Sequence, residues 1–316
     1  MSLPKFAFKR NYIYIIIAVA FLASLPLWVG GFLRDALILF FLYLAAAEVW
    51  GFMAQHAGMV SLGQQIFIGI GGYMTAALCM REGLPLWVSV IIAALIGSGV
   101  AAALSFPLLR LRGIYFSIGS FLAAEVIKLI FNSWEYVGAG KGLIFTAAYG
   151  ISTIEIYYPA MIIALISMSS VFYLYHSKLG FGLRSIGADE DAAASLGVNT
   201  FRCKALLFIF SGFITSLVGA INAIHHTYLH PTSVFDIIWT VNFLFIAVIG
   251  GLGTIIGPVI GSIIFVTLTY LFAMYIGISL LLQGLVALAI LLMVPEGIWG
   301  FIAKRLRSRI KLREPL

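Results

Sequence analysis

Long apolar segments recur along the whole chain and limit its fold more than any other feature. A helix needs about 20 apolar residues to cross a bilayer, and about ten segments of this kind alternate with polar connections. They cover approximately residues 13–29, 36–53, 60–80, 86–106, 114–131, 159–175, 205–223, 237–252, 257–273 and 278–294. Only 10% of the 316 residues are charged, against about a quarter in soluble domains. We therefore predict an all-α, polytopic membrane protein with about eight to ten transmembrane helices and exclude a soluble globular enzyme.

The basic residues predict how these helices are oriented. If the N-terminus is cytoplasmic, fifteen Lys and Arg residues fall on the cytoplasmic side, and only Arg34, Arg81 and Lys141 fall on the other side. Cytoplasmic loops carry such an excess of basic residues, so we expect both termini in the cytoplasm. The formal net charge of +7 comes from residues that flank apolar segments, and we therefore exclude nucleic acid as a partner.

Two longer polar connections interrupt the apolar pattern. We expect residues 132–158 to form an extracytoplasmic loop and residues 176–204 to form a cytoplasmic loop. Each is far shorter than the roughly 100 residues that a folded ATP-hydrolysing domain needs. Gly140-Lys141-Gly142 does not match a P-loop, because Gly142 stands where Ser or Thr is required. We expect residues 1–316 to form a single membrane domain with no ATPase of its own.

The cytoplasmic loop contains a short predicted helix, Asp189-Glu190-Asp191-Ala192-Ala193-Ala194-Ser195-Leu196-Gly197. Its three acids lie in the first turn, where the helix dipole favours negative charge, and its three alanines favour helix. Gly197 suits the position after the helix, where φ is often positive. Because so short a helix is marginal alone in water, it is either a solvated connector or a docking helix for another protein.

Ionisable residues are scarce within the predicted spans. Glu125 and Lys128 share a helix face and can neutralise each other, so we favour a structural ion pair over a role in lining a route. Glu48 has no partner in its own segment. An ion-coupled carrier would need carboxylates at this depth, and these two are almost the only ones. The spacing of His225, His226 and His230 matches no common metal site, and no nucleophile, base and orienting acid stand together. We therefore predict no metal site, no cofactor and no enzymatic activity.

Several motifs resemble those of LivM-type permeases, a family of ABC-importer membrane subunits. Asp191-Ala192-Ala193 followed by Gly197 is similar to the family's EAA loop, with Asp in place of the usual Glu. The other matching segments are Ser61-Leu62-Gly63-Gln64 with Phe67 and Gly69-Ile70-Gly71-Gly72-Tyr73, Arg110-Leu111-Arg112-Gly113-Ile114-Tyr115-Phe116, Glu125-Val126-Ile127-Lys128, and Gly250-Gly251-Leu252-Gly253-Thr254 with Gly257-Pro258. These matches occur in order and cover most of the chain.

The resemblance implies a permease subunit of an ATP-driven importer for leucine, isoleucine and valine, in the cell inner membrane. It implies as partners a second related permease, two cytosolic ATPases and an extracytoplasmic solute-binding protein, with no cofactor. It assigns ATPase coupling to Asp189, Glu190, Asp191, Ala192, Ala193 and Gly197. Small residues and broken helices in the matching segments favour a translocation pathway, which we expect at Ser61, Gly63, Gln64, Gly69, Gly71, Gly251 and Gly253.

Other interpretations remain open at this point. Relatives of the same family carry urea, short amides or other small solutes, and an ion-coupled secondary transporter is the less favoured class. For the glycines, simple close packing of helices competes with a role in lining the route.

Overall fold

The computed structural model describes residues 5–275, 278–294 and 297–311. Within these residues the chain forms α-helices joined by short connections, together with two very short strands. The helices are α1 (Lys5–Trp28), α2 (Gly31–Ala57), α3 (Gln65–Arg81), α4 (Leu86–Leu108), α5 (Ile114–Ser133), α6 (Thr153–His176), α7 (Lys178–Ala188), α8 (Glu190–Ser195), α9 (Thr200–His226), α10 (Pro231–Val234), α11 (Ile238–Gly250), α12 (Gly257–Phe272), α13 (Ser279–Met293) and α14 (Gly297–Lys311). The strands are β1 (Leu143–Ile144) and β2 (Tyr228–Leu229).

The prediction of a polytopic, all-α membrane protein is confirmed. Among the described residues, six helical segments are long and apolar enough to cross a membrane, and three shorter apolar helices accompany them. Each predicted span coincides with a helix. Helices α1 and α6 begin earlier than predicted, at Lys5 and Thr153, whereas the third predicted span is shortened at its start. This span was expected at 60–80, whereas α3 begins only at Gln65.

Residues 58–64 form an irregular, largely buried segment between α2 and α3. Gly58 ends α2 in the left-handed conformation, with φ of 64°. Irregular backbone at membrane depth needs hydrogen-bond partners within the protein, and side chains supply them here. Trp50 Nε1 donates to the Ser61 carbonyl at 2.9 Å, and Ser117 Oγ donates to the Val60 carbonyl at 2.6 Å. These tertiary bonds explain why an apolar sequence does not continue the helix.

Two long helices form the centre of the bundle. In the most apolar stretch of each helix, 83% of the residues of α9 and 78% of those of α2 are buried. Helices α3 and α4 pack on α9, α6 packs on α2, and α11 and α12 pack on each other and on α2. By the same measure α5 is only 28% buried, so most of its surface faces away from this chain.

The contact between α3 and α9 depends on glycine. A Cβ atom added to Gly71 would overlap the backbone carbonyl of Ser216, and one added to Gly219 would overlap that of Ile68. The two backbones therefore lie in direct contact, as small residues allow between membrane helices.

The connection between α5 and α6 folds back over one end of the bundle. Its strand β1 pairs antiparallel with β2, with Leu143 opposite Leu229. Tyr136 donates a hydrogen bond to Glu82 at 2.6 Å, which raises the pKa of the Tyr136 hydroxyl. This bond joins the end of α5 to the connection between α3 and α4, so both lie at the same end of the molecule.

Candidate functional site

Helices α7 and α8 cover the opposite end of the bundle. The buried residues of α7 are Gly180, Leu183 and Ile186, a spacing that places them on one helix face. A Cβ atom at Gly187 would lie 2.7 Å from the His56 carbonyl oxygen. The end of α7 therefore rests on the last turn of α2, and this contact fixes where α8 begins.

Both ends of α8 are capped, the C-terminal end by the predicted Gly197 and the N-terminal end by Asp189, which was predicted within the first turn and instead precedes it. The Asp189 side chain accepts hydrogen bonds from the backbone N–H groups of Asp191 at 3.0 Å and Ala192 at 2.9 Å, which is a typical N-cap. Gly197 has φ of 88°, and its N–H donates to the Ala194 carbonyl. The next N–H, of Val198, donates to the Ala193 carbonyl, which completes a Schellman motif. The predicted short helix and its terminating glycine are confirmed.

Two basic residues from distant parts of the sequence hold the acids of α8. Arg112 pairs with Asp191 at 2.8 Å and with Glu190 at 3.9 Å. The hydrogen bond to Asp191 is the main cause of a raised pKa of the Arg112 guanidinium. Lys204, which is buried, pairs with Glu190 at 2.6 Å. Sequence reasoning explained these acids by the helix dipole alone and missed both partners.

The two basic residues connect α8 to different helices. Arg112 lies two residues before α5, and Lys204 lies in the first turns of α9. Of the alanines, Ala193 is buried against the chain, whereas Ala192 is exposed. Leu196, just after the helix, is 84% exposed. The chain thus holds α8 in place by its charges and leaves an apolar surface uncovered.

The residues of the predicted route near α3 lie inside the bundle. Ser61 and Gln64 are fully buried, and Gln64 accepts hydrogen bonds from Ser211 and Thr215 of α9, both at 3.3 Å. A Cβ atom at Gly63 would overlap the Ser120 carbonyl of α5. The segment is therefore in contact with both α5 and α9.

The remaining glycines of the predicted route also make close contacts. A Cβ atom at Gly69 would overlap the Phe235 ring, and one at Gly71 would overlap α9. Gly251 and Gly253 lie in the connection between α11 and α12 with φ of 119° and 72°. A Cβ atom at Gly253 would overlap the side chain of Gln55 in α2. Neighbouring groups approach so closely that Gly69, Gly71 and Gly253 have no room for a side chain.

Glu48 lies beside this connection. Its side chain is buried, and its Oε2 atom has no hydrogen-bond partner. It lines a cavity with room for about one water molecule, together with Tyr175 of α6 and Thr254 of the α11–α12 connection. The residue that sequence reasoning left without a partner therefore faces neighbouring helices.

The predicted pairing of Glu125 with Lys128 is confirmed, at 2.5 Å between Oε2 and Nζ. Within the described ranges, no group of three or more His, Cys, Asp or Glu side chains could hold a metal ion. His225 instead contacts Asp35 at 3.2 Å, and Cys79 is a free thiol.

A bundle of long apolar helices, with a short ion-paired helix exposed at one end, defines the class of multi-pass membrane proteins. Comparison with known families specifies this class further. A family model described as "Branched-chain amino acid transport system / permease component" matches residues 32–295. The chain belongs to this family of membrane transport permeases, and the resemblance to LivM-type permeases is confirmed.

Curated relatives agree with this family. The chain is 24% identical to the high-affinity branched-chain amino acid transport system permease protein LivM of Salmonella typhimurium, over 80% of this chain and 66% of that protein. Identity to the Escherichia coli LivM protein is 25% with the same coverage. The LivH permease protein of the same transport system in Salmonella typhimurium is 25% identical over 54% of this chain and of its own length. The chain thus spans just under two thirds of the LivM relatives, and no solved structure matches it.

Proposed function

We propose that this chain is a permease subunit of an ATP-driven importer for the branched-chain amino acids leucine, isoleucine and valine. It crosses the inner membrane with both termini in the cytoplasm and forms half of the translocation pathway. A second related permease forms the other half, two cytosolic ATPases supply the energy, and an extracytoplasmic protein delivers the cargo. Support comes from the two relatives, LivM and LivH, which are named as permease proteins of one transport system.

The exposure of α8 and its anchoring are the observation on which the proposal depends. The segment from Asp189 to Gly197 is capped at both ends and tied to two helices by ion pairs, yet Leu196 is 84% exposed. A large apolar side chain at the tip of a fixed helix is suited to enter a pocket of another protein. We assign this pocket to the ATPase, and residues 176–204 to the cytoplasmic side.

The ion pairs give α8 a means of moving the bundle. A push on α8 would reach α5 through Arg112, and Gly113 between them has φ of 54°. It would reach α9 through Lys204, where burial is high and movement is restrained. The segment 58–64 contacts α5 through Ser117 and is also bonded to α2 and α9 through Trp50 and Gln64, so a movement of α5 would change the shape of this segment. Alternation between outward and inward access would then come from α5 moving against the fixed centre and reshaping the segment that joins them.

The test uses membrane vesicles that contain the chain with its partner permease and ATPases. We expect uptake of radiolabelled leucine only when ATP is supplied on the side of the membrane that carries the ATPases and the binding protein is present. Leu196→Ala should weaken co-purification of the ATPases about tenfold, because truncating a central apolar anchor costs about 1.4 kcal/mol or more. Leu33→Ala is the matched control. Leu33 is also exposed but lies in the first turn of α2, whereas the α7–α8 region contacts the last turn of that helix.

Other results would point to other functions. Uptake by this chain alone, abolished by an uncoupler, would indicate an ion-coupled carrier. ATP-dependent uptake of urea or a short amide, without leucine, would indicate a different cargo within the same family. Unchanged ATPase co-purification of Leu196→Ala would contradict the docking role of α8.

A further inference from the structure

One ion pair lies on the least buried of the long apolar helices. Glu125 and Lys128 form a contact of 2.5 Å, yet their side chains remain 33% and 25% exposed. Glu125 lies eight residues before α5 ends at Ser133, which corresponds to about 12 Å along the helix. This depth is within the hydrocarbon layer, where charged side chains in contact with lipid are costly. The face of α5 with the pair therefore needs water or protein against it.

Apolar side chains flank the pair on the open side of α5. Leu122 and Leu129 lie one helical turn from Glu125 in either direction, and they are 55% and 63% exposed. The other side of α5 is occupied, because Ser117 and Ser120 bind the irregular segment 58–64. The open side thus combines one negative charge, one positive charge and an apolar surface within two helical turns.

We propose that Glu125 and Lys128 form a subsite that binds the ammonium and carboxylate groups of an amino acid as it crosses the membrane. The cargo's ammonium group pairs with Glu125, its carboxylate pairs with Lys128, and its apolar side chain lies against Leu122 and Leu129. This inference rests on the proposed function, because it requires the open side of α5 to face the pathway.

Charge balance is the physical reason for such a subsite. The closed ion pair is neutral as a whole, and so is a free amino acid. Opening the pair to form two new ion pairs with the cargo leaves no buried charge without a partner, which would otherwise be strongly unfavourable. Urea or a neutral amide carries no charge that could replace either side chain, so this subsite selects zwitterions from among small solutes.

The first test compares single and double neutral variants in the assembled transporter. A purely structural ion pair makes a clear prediction: Glu125→Gln or Lys128→Met alone is harmful, and the combination of both restores function. The proposed subsite predicts a different result. The double variant should fold and assemble with its partner subunits as the wild type does, yet ATP-driven leucine uptake should fall at least tenfold. Normal uptake by the double variant would overturn the inference.

The second test measures access to the site without measuring transport. After removal of the native thiols by Cys79→Ala and Cys203→Ala, Val126→Cys, which leaves Glu125 and Lys128 in place and lies next to Glu125 on the exposed surface of α5, is treated with a charged, membrane-impermeant thiol reagent. We expect it to react in the assembled transporter and to be protected by leucine but not by urea. Leu95→Cys is the control, since Leu95 is 57% exposed at a similar depth in α4, and it should remain unlabelled. A Val126→Cys variant that reacts no faster than this control, or that leucine does not protect, would contradict the subsite.

Failure of the underlying function gives a distinct result. If the wild-type transporter accumulates no leucine with ATP, the proposed function is wrong and the subsite is rejected with it. The other case is a wild-type transporter that does accumulate leucine. If leucine then fails to protect the introduced thiol, and uptake does not depend on the Glu125–Lys128 pair, the subsite alone is rejected.

Discussion

Helices α5 and α9 begin alike and end in different surroundings. Each is a long apolar helix with a basic residue near its start, and each basic residue pairs with an acid of α8. Helix α9 is 83% buried over its apolar window, whereas α5 is 28% buried. Lys204 is buried within α9, whereas the Arg112 side chain, just before α5, is 62% exposed.

This difference separates two mechanical roles. The free energy that fixes α9 comes from dense packing with α2, α3 and α4, which admits little movement because packed interiors resist deformation. The position of α5 depends on fewer contacts, and its open face is available to a partner. We infer that α9 is the fixed support of α8 and that α5 is the part that moves. The predictions below test this division through the stability of the subunit.

The largest effect is expected where α3 meets α9. Gly71→Leu should lower the free energy of unfolding by about 3 kcal/mol or more, because the new side chain has no space against the Ser216 backbone. Gly99→Leu in α4 is the control, since a Cβ atom there meets nothing within 4 Å and leucine favours helix. Thermal unfolding in detergent measures both. Equal melting temperatures would show that the α9 contact is not tightly packed.

The second effect concerns the buried end of the α8 linkage. Lys204→Met should destabilise the subunit by about 2 kcal/mol, because Glu190 loses its partner at 2.6 Å and keeps only the longer contact to Arg112. Lys178→Met removes an exposed lysine of the same loop and should have no such effect. The same thermal unfolding measurement applies. A Lys204→Met variant as stable as the control would mean that α9 does not support α8.

Local features of this linkage were predictable from sequence, but the linkage itself was not. The short acidic helix, its terminating Gly197 and the Glu125–Lys128 pair depend on residues within a few positions of each other, so propensity and helix spacing were sufficient to predict them. Arg112 and Asp191 are 79 positions apart, and only the packed bundle brings them together. The same limit applies to the late start of α3, because its apolar sequence does not reveal the hydrogen bonds that hold residues 58–64.

A smaller effect is expected at the end of α8. Gly197→Ala should cost about 1 kcal/mol, because φ of 88° is unfavourable for a residue with a Cβ atom. The space around Gly197 is open, so this cost reflects backbone conformation and not a clash. Asn tolerates this conformation better, and Gly197→Asn should retain more ATPase binding than Gly197→Ala. If both variants bind the ATPases as the wild type does, the Schellman motif is not needed for docking.

The smallest change in stability is expected at the exposed end of the linkage, and it separates the two helices most clearly. Arg112→Gln should leave the melting temperature unchanged, because exposed ion pairs contribute little to stability. It should nevertheless reduce the leucine transported per ATP several-fold, since α8 would no longer pull on α5. Arg110→Gln removes a nearby exposed charge and should alter neither quantity. Exchanging the charges, Arg112→Asp with Asp191→Arg, should restore part of the coupling. A loss of stability without a loss of coupling in Arg112→Gln would reverse the roles assigned to α5 and α9.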